Sequence, residues 1–334
     1  MNKACVIAAY FGKLPDLFPA WITSIEYNKD IDFLLVTDCT FTEYKIPVNL
    51  NVVSMTLDGM RNLIKDKLGL DNPALSEPYK CCDYKPVYGI IFQDYVKEYE
   101  FVGHCDLDII FGRINGFISE EIWDNFDKIL PLGHLSFYRN TKEVLDYYKL
   151  EGKVYADYKK AFSSDEICVF DEEAGINSIY RENNLRLYDK YIMADISERN
   201  KRLKLTQMSI RKNDKYQNYN YQVFSFEKGG IYRNFIDAQG RIGKDEFVYL
   251  HAKKRQIICD ILNSYGNEAI DSFIILSDRI IRKDFEAFTK DRIMEYSEFI
   301  SEKHDIKERD RYNRKDLLKR GKKKWKRIKK RLLR

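Results

Sequence analysis

Two short apolar runs, Ala4 to Tyr10 and Asp32 to Thr37, stop at polar turn residues and have the length and punctuation of buried strands. Between them Leu17, Trp21 and Ile25 recur at helical spacing, so strand, helix, strand is predicted. Asn51 to Met55 predicts a third strand, and Leu57, Met60, Leu63 and Ile64 then share the face of an amphipathic helix. Val87, Ile90, Ile91 and Tyr95 predict another such helix over Asp83 to Lys97, leading into a strand at Phe101 and Val102. Alternation of this kind predicts a doubly wound, mostly parallel α/β sheet.

The pattern changes in the second half. Tyr219 to Phe226, Ile231 to Ile236 and Glu246 to His251 are strand-like and are joined by Lys228-Gly229-Gly230 and Asp237-Ala238-Gln239-Gly240, which are turn sequences. Antiparallel strands appended to a parallel half are expected. Beyond Phe273 to Leu276 the chain is expected to turn helical. The predicted organisation is a body over 1–255, divided into halves 1–115 and 116–255, then a helical extension over 256–313 and a basic amphipathic tail over 314–334.

Charge separates the tail from the body. Residues 314–334 carry a net +12, which leaves 1–313 at −7 within a chain of net charge +5. Positive charge is therefore not spread over the folded part, as nucleic-acid binding would require, and no nucleic-acid partner is expected. Leu317, Leu318, Trp325, Ile328, Leu332 and Leu333 form an apolar stripe among the tail's lysines and arginines, which predicts a helix lying in an anionic membrane surface. The apolar run at the N-terminus is too short for a signal-peptide core, and no stretch is long and apolar enough to cross a bilayer. The expected place is the cytoplasm, at the inner face of the plasma membrane. Seven scattered cysteines without C-x-x-C pairs predict reduced, mostly buried thiols.

Candidate chemistry concentrates in Gly103-His104-Cys105-Asp106-Leu107-Asp108. On extended backbone, residues two apart point the same way, so Asp106 and Asp108 present two carboxylates to one side while Leu107 faces the core. Such oxygen ligands suit Mg²⁺ or Mn²⁺ shared with substrate phosphates, and open α/β sheets bind ligands beyond the carboxyl ends of their strands. Asp-x-Asp is common by chance as a solvated loop pair. Here it sits between an apolar strand and Ile109-Ile110-Phe111, which favours the metal reading.

With these residues go Tyr10-Phe11-Gly12-Lys13-Leu14-Pro15, Thr37-Asp38, Pro78-Tyr79-Lys80-Cys81-Cys82-Asp83-Tyr84-Lys85-Pro86 and Leu132-Gly133-His134-Leu135. In their order and spacing, over about residues 3 to 255, the chain resembles the GT-A class of nucleotide-sugar-dependent glycosyltransferases. Within that class it is most similar to a group from bacterial capsule and exopolysaccharide loci. The resemblance implies a GT-A-like sheet with an acceptor-side half, a UDP-sugar donor and a lipid-linked or polysaccharide acceptor. It places Tyr10, Thr37 and Asp38 at the nucleotide base, and Asp83 and Lys85 at the ribose and donor. Asp106 falls at the ribose or metal, and Asp108 at the metal.

A late histidine often supplies a further metal ligand in that class. His251 is the candidate, because it closes a predicted strand and precedes Lys253 and Lys254, cations able to hold a diphosphate. A histidine packed on a hairpin is the bland alternative. His104 and His134 are expected to be structural hydrogen-bonders near the site. Among the acids near the helix predicted from Ile176, Asp171 and Glu172 are the expected catalytic groups on the acceptor side, although acids there are commonly only caps.

The chain lacks the G-G-x-Y-x-D run of better-known members and has Tyr99-Glu100-Phe101-Val102-Gly103-His104 instead, which leaves sugar and stereochemistry open. Gly240-Arg241-Ile242-Gly243-Lys244-Asp245 has the wrong spacing for a phosphate loop. The rival readings are a sugar nucleotidyltransferase, for which Gly12-Lys13 alone does not supply the usual glycine-rich loop, and a non-enzymatic nucleic-acid or membrane binder acting through its tail.

Overall fold

The computed structural model describes residues 2–42, 44–262 and 270–297. The basic tail over 314–334 and its apolar stripe lie outside the described residues.

The first strands form where predicted, β1 (Ala4–Tyr10), β2 (Ile31–Thr37) and β3 (Leu50–Ser54). Helix α1 (Phe18–Ile25) opens with Pro19 in its first turn, where a missing N–H costs nothing, and buries seven of its eight residues. Helix α2 (Leu57–Leu68) is bounded by local chemistry at both ends. The Thr56 side chain accepts from Gly59 N–H, Asp58 sits in the first turn, Lys65 and Lys67 in the last, and Gly69 closes the helix at φ 64°.

The helix expected over Asp83 to Lys97 does not form as one piece. A 3₁₀ segment, Pro78–Val87, is followed by two single turns, Tyr88–Ile91 and Gln93–Val96. Pro86 inside the segment denies the α-helical ladder a donor, and nearly the whole 3₁₀ stretch is buried rather than one face of it.

Strand β4 (Phe101–Cys105) pairs parallel with β1, and the Asp106-Leu107-Asp108 turn leads to β5 (Ile109–Phe111). With β6 (Lys128–Ile129), β7 (Leu135–Arg139) and β8 (Leu187–Tyr188), the main sheet has the order β3-β2-β1-β4-β7-β6-β8. Only β7 runs against its neighbours, so the sheet is mostly parallel, as expected.

Strand β9 (Ala194–Asp195) belongs to a small second sheet. The antiparallel half is built from β10 (Tyr221–Glu227), β11 (Gly230–Ile236) and β12 (Ile242–Phe247). Glu246 to His251 was expected as one strand, but it breaks at Val248. Phe247 closes β12, while β13 (Tyr249–His251) joins the small sheet in the order β5-β13-β9. The 256–313 stretch is also not a purely helical extension. Strand β14 (Ser272–Ile275) pairs onto β10 and β15 (Ile280–Arg282) onto β14, completing the antiparallel sheet, because Phe273 and Ile275 find a buried face beside Phe224 and Phe226. Within it a helix does form at Lys290–Tyr296.

Three apolar clusters hold the layers. One packs Phe18, Trp21 and Phe33 of α1 and β2 against Phe111; a second lies on the opposite sheet face around Met60, Ile64, Tyr84 and Tyr88; a third joins Ile110 and Leu250 to the antiparallel half. Asn28, at the end of α1, ties the first layer to the strand after the Asp-x-Asp turn. Its amide donates to Ser24 and Gly112 carbonyls at 3.1 and 3.0 Å, and its Oδ1 accepts from Ile114 N–H at 2.9 Å. The Asn28→Ala protein is expected to lose at least about 2 kcal/mol of stability by leaving these buried backbone groups unpaired. Urea denaturation of the two proteins measures the difference.

Candidate active site

The carboxyl ends of β1 and β4 open into a cavity of about 670 Å³. Asp106 and Asp108 both line it, and Leu107 between them is buried in the core, as residues alternating across extended backbone require. Strand β13 brings His251 to the same wall. Its register sets His251 opposite Ile109 on one side and beside Asp195 on the other. Ligand atoms of Asp106, Asp108 and His251 all lie within 4.8 Å of one another.

The contacts leave specific atoms for a cation. Asp108 Oδ2 accepts the Lys254 N–H at 2.7 Å, while Oδ1 faces His251 Nε2 at 3.5 Å. On the far side of the ring, Nδ1 lies 3.0 Å from Asp195 Oδ1. Burial pulls the His251 imidazole down, but the Asp108 and Asp195 carboxylates outweigh it and hold it up at about 9. Burial pushes Asp108 up, and the facing imidazole more than reverses that, so its carboxyl stays well below the usual range. His134 packs its ring 3.6 Å from that of His251, centroid to centroid, and burial keeps it neutral. Two carboxylates and an imidazole fit a divalent cation, the oxygens being hard donors and the ring nitrogen favouring a transition ion.

After His251 the chain takes an unusual turn. Lys253 and Lys254 both adopt left-handed φ, 52° and 59°, which side chains with a Cβ rarely do. Lys253 Nζ thereby reaches Asp195 Oδ2 at 3.1 Å, and Lys254 Nζ sits 3.9 Å from the centroid of the Tyr79 ring. Both lysines line the cavity.

A second charged group forms the opposite wall. Lys85 Nζ donates to Asp106 at 2.6 Å, to Asp171 at 3.1 Å and to the Gly133 carbonyl at 2.9 Å. A Cβ at Gly133 would lie 2.2 Å from Asp171 Oδ2, so a larger residue there would displace that carboxylate. Burial raises the Asp171 carboxyl to about 6 against the pull of Lys85. Burial, then the neighbouring Asp171 charge, raises Glu172 to about 7. Both acids face the cavity.

Several expected residues have other positions. Asp83 does not line the cavity. It is fully buried, accepts from Lys80 Nζ at 2.7 Å, and receives the Cys168 and Phe170 N–H groups at 2.9 Å each. The carboxylate clamps the loop that carries Asp171, and its burial keeps it from the cavity. Thr37 is buried beneath the rim, its hydroxyl accepting from Cys39 N–H at 3.1 Å. Asp38 accepts Gly12 N–H at 2.8 Å and so braces the turn, at φ 98°, that carries Phe11 and Lys13 to the cavity edge. Tyr10 does line the cavity, its hydroxyl donating to the Lys13 carbonyl at 2.8 Å. His104 is buried inside the sheet, but neither of its ring nitrogens has a hydrogen-bond partner, so it is packed there rather than hydrogen-bonded as expected. The cysteines are all free thiols. Asp195 was not anticipated; a two-residue strand has too little pattern to be found from sequence, and nothing near it marks the acid as functional.

The model of a family of unknown function, DUF6625, matches residues 6–284. No curated protein matches the chain. Among solved structures, mouse xyloside xylosyltransferase 1 in its apo form is similar at 8% identity and a TM-score of 0.37, over 59% of this chain and 89% of that one. The apo-form glycosyltransferase GlyE of Streptococcus pneumoniae TIGR4 is similar at 9% identity and a TM-score of 0.32, over 57% of this chain and 46% of that one. The galactosyltransferase LgtC, in complex with donor and acceptor sugar analogs, is similar at 7% identity and a TM-score of 0.32, over 57% of this chain and 75% of that one.

The raised carboxyls make a pH prediction. An acid whose folded value lies above its unfolded one stabilises the fold fully below about pH 4 and loses that contribution as the pH climbs through its folded value. For Asp171 and Glu172 the loss falls between about pH 4 and 7. Glu172→Gln is expected to flatten the decline of stability across that window, measured by denaturation at pH 4.5 to 8 beside the unaltered protein.

Proposed function

This chain belongs to the family of unknown function DUF6625, and we propose that it is a divalent-metal-dependent glycosyltransferase of GT-A type. It moves a sugar from a nucleotide-diphosphate donor, a UDP-sugar, to a lipid-linked or polysaccharide acceptor in surface polysaccharide synthesis. The observation that carries this reading is the convergence of Asp106, Asp108 and His251 with Lys253 and Lys254 in a single cavity beyond β1 and β4, faced by Asp171 and Glu172.

Asp106, Asp108 and His251 would hold the cation. The nitrogen in the set favours Mn²⁺ over Mg²⁺. A divalent ion held there would supply neutralisation of charge on a diphosphate leaving group. Lys253 and Lys254 meet the same diphosphate, so the developing charge finds fixed donors, and stabilisation is greater at the transition state than before it. Tyr10 and the Gly12 turn braced by Asp38 frame the nucleotide. Lys85 is already engaged by Asp106 and Asp171, so its work is to fix those two acids relative to one another. Glu172, with a carboxyl near 7, can take the proton of an acceptor hydroxyl close to neutral pH, and the Asp171 charge beside it favours that uptake.

Asp108→Ala is expected to retain the fold and lose transfer by about 100-fold or more, the worth of several kcal/mol of charge stabilisation. UDP release from a panel of UDP-sugars, with Mn²⁺ and with EDTA, measures it. Full turnover by the variant, or turnover unaffected by EDTA, overturns the metal assignment. Pyrophosphate release from UTP and a sugar phosphate would instead identify a nucleotidyltransferase.

The acceptor proposal draws on the tail. Among the described residues no helix is long and apolar enough to cross a membrane. The stripe of Leu317, Leu318, Trp325, Ile328, Leu332 and Leu333 amid thirteen Lys or Arg in 314–334 supports peripheral attachment to an anionic inner-leaflet surface, beside a lipid-linked acceptor. Sedimentation with phosphatidylglycerol vesicles is expected to show binding that falls with salt and is abolished by truncation after Tyr312. Equal binding by the truncated protein removes the membrane from this proposal.

A further inference from the structure

Asp195 is 4% exposed on β9, yet each of its oxygens is directed at a group of the cavity wall. Oδ1 faces His251 Nδ1 at 3.0 Å. Oδ2 accepts from Lys253 Nζ at 3.1 Å and from the Thr206 hydroxyl at 3.0 Å. Thr206 in turn caps the helix Gln207–Lys212, so the carboxylate is anchored to a rigid element.

The geometry has two consequences. An imidazole can turn about its outer torsion between broad, nearly equivalent wells, and only one of them aims Nε2 at Asp108. Occupying Nδ1 selects that well and leaves a single nitrogen for a cation. The lysine is constrained as well. Its left-handed backbone at φ 52° is unfavourable by itself, and the ion pair to Asp195 is a local contact that offsets the cost. The parallel pairing of β9 with β13 sets Asp195 beside His251 in register, so one carboxylate spans both residues from a fixed strand.

We infer that Asp195 is a positioning residue that assembles the metal ligand and the diphosphate-binding lysine as one unit, orienting His251 Nε2 and Lys253 Nζ together. The inference rests on the glycosyl-transfer reading above. Asp195 is buried behind His251 and Lys253 and does not itself line the cavity, so its removal acts on affinity through those two residues.

The test compares the full-length protein with Asp195→Asn, Lys253→Ala and the double variant. Mn²⁺ binding is followed by electron paramagnetic resonance, and UDP binding at saturating Mn²⁺ by calorimetry. Asp195→Asn is expected to weaken Mn²⁺ by about 10- to 100-fold, the usual effect of removing a ligand's outer partner. It is also expected to weaken UDP, with little further loss when Lys253 is already alanine. Unchanged Mn²⁺ affinity in Asp195→Asn overturns the inference. So does an equal loss of UDP affinity in both backgrounds, which is the signature of general structural damage. Should Asp195→Asn fail to fold, Asp195→Glu, which keeps the charge and displaces it by a methylene, is judged by the same two measurements. Absence of Mn²⁺ binding by the unaltered protein overturns the parent reading instead, and the inference falls with it.

Discussion

The short antiparallel pairing of β5 with β13 is the constraint on which the site depends. It joins the turn after β4, with Asp106 and Asp108, to a segment about 140 residues later that carries His251, Lys253 and Lys254. The pairing exists because the chain leaves the antiparallel sheet at Val248, where the Gly112 N–H donates to the Val248 carbonyl at 2.8 Å and Val248 donates to Ile192 at 3.1 Å. A Cβ at Gly112 would lie 2.4 Å from the Phe247 carbonyl, so the close approach of the two segments requires glycine there. The backbone bonds fix register, and register decides which side chains meet across the cavity.

Charge then organises the walls. On one side Lys85 separates Asp106 from Asp171; on the other His251 separates Asp108 from Asp195, and Lys253 completes the row. Buried ions of one sign alone would shift toward their neutral forms, and alternation keeps most of them charged. Asp171 and Glu172 escape this balance, since burial outweighs the pull of a Lys85 shared with Asp106 and Glu172 also lies beside a like charge, and these are the acids whose carboxyls rise toward neutrality. The same physics separates groups suited to holding a cation from groups suited to exchanging a proton.

The buried pair of Lys80 and Asp83 serves the site from outside it. Asp83 receives two backbone N–H groups on either side of Val169, which lines the cavity with φ 49°, a strained value for a β-branched residue. The clamp holds that strain and sets where Asp171 begins. The family resemblance implies a place for Asp83 at the donor, whereas the fold uses it to shape the loop beside the cavity that Asp106 and Asp108 line.

What the sequence by itself determined were features carried by local period and local chemistry. These include the strands β1 to β4, the capped helix α2, and the common direction of Asp106 and Asp108 about a buried Leu107. The free thiols and the separation of a basic tail from an acidic body belong with them, because composition and spacing express each directly. Tertiary structure alone decided the break at Val248, the 3₁₀ path of Pro78–Val87, the strands after residue 270 and the position of Asp195. Each of these is settled by partners distant in the chain. A carboxylate bound to a histidine 56 residues away leaves no period in the sequence, and a two-residue strand is too short to display one.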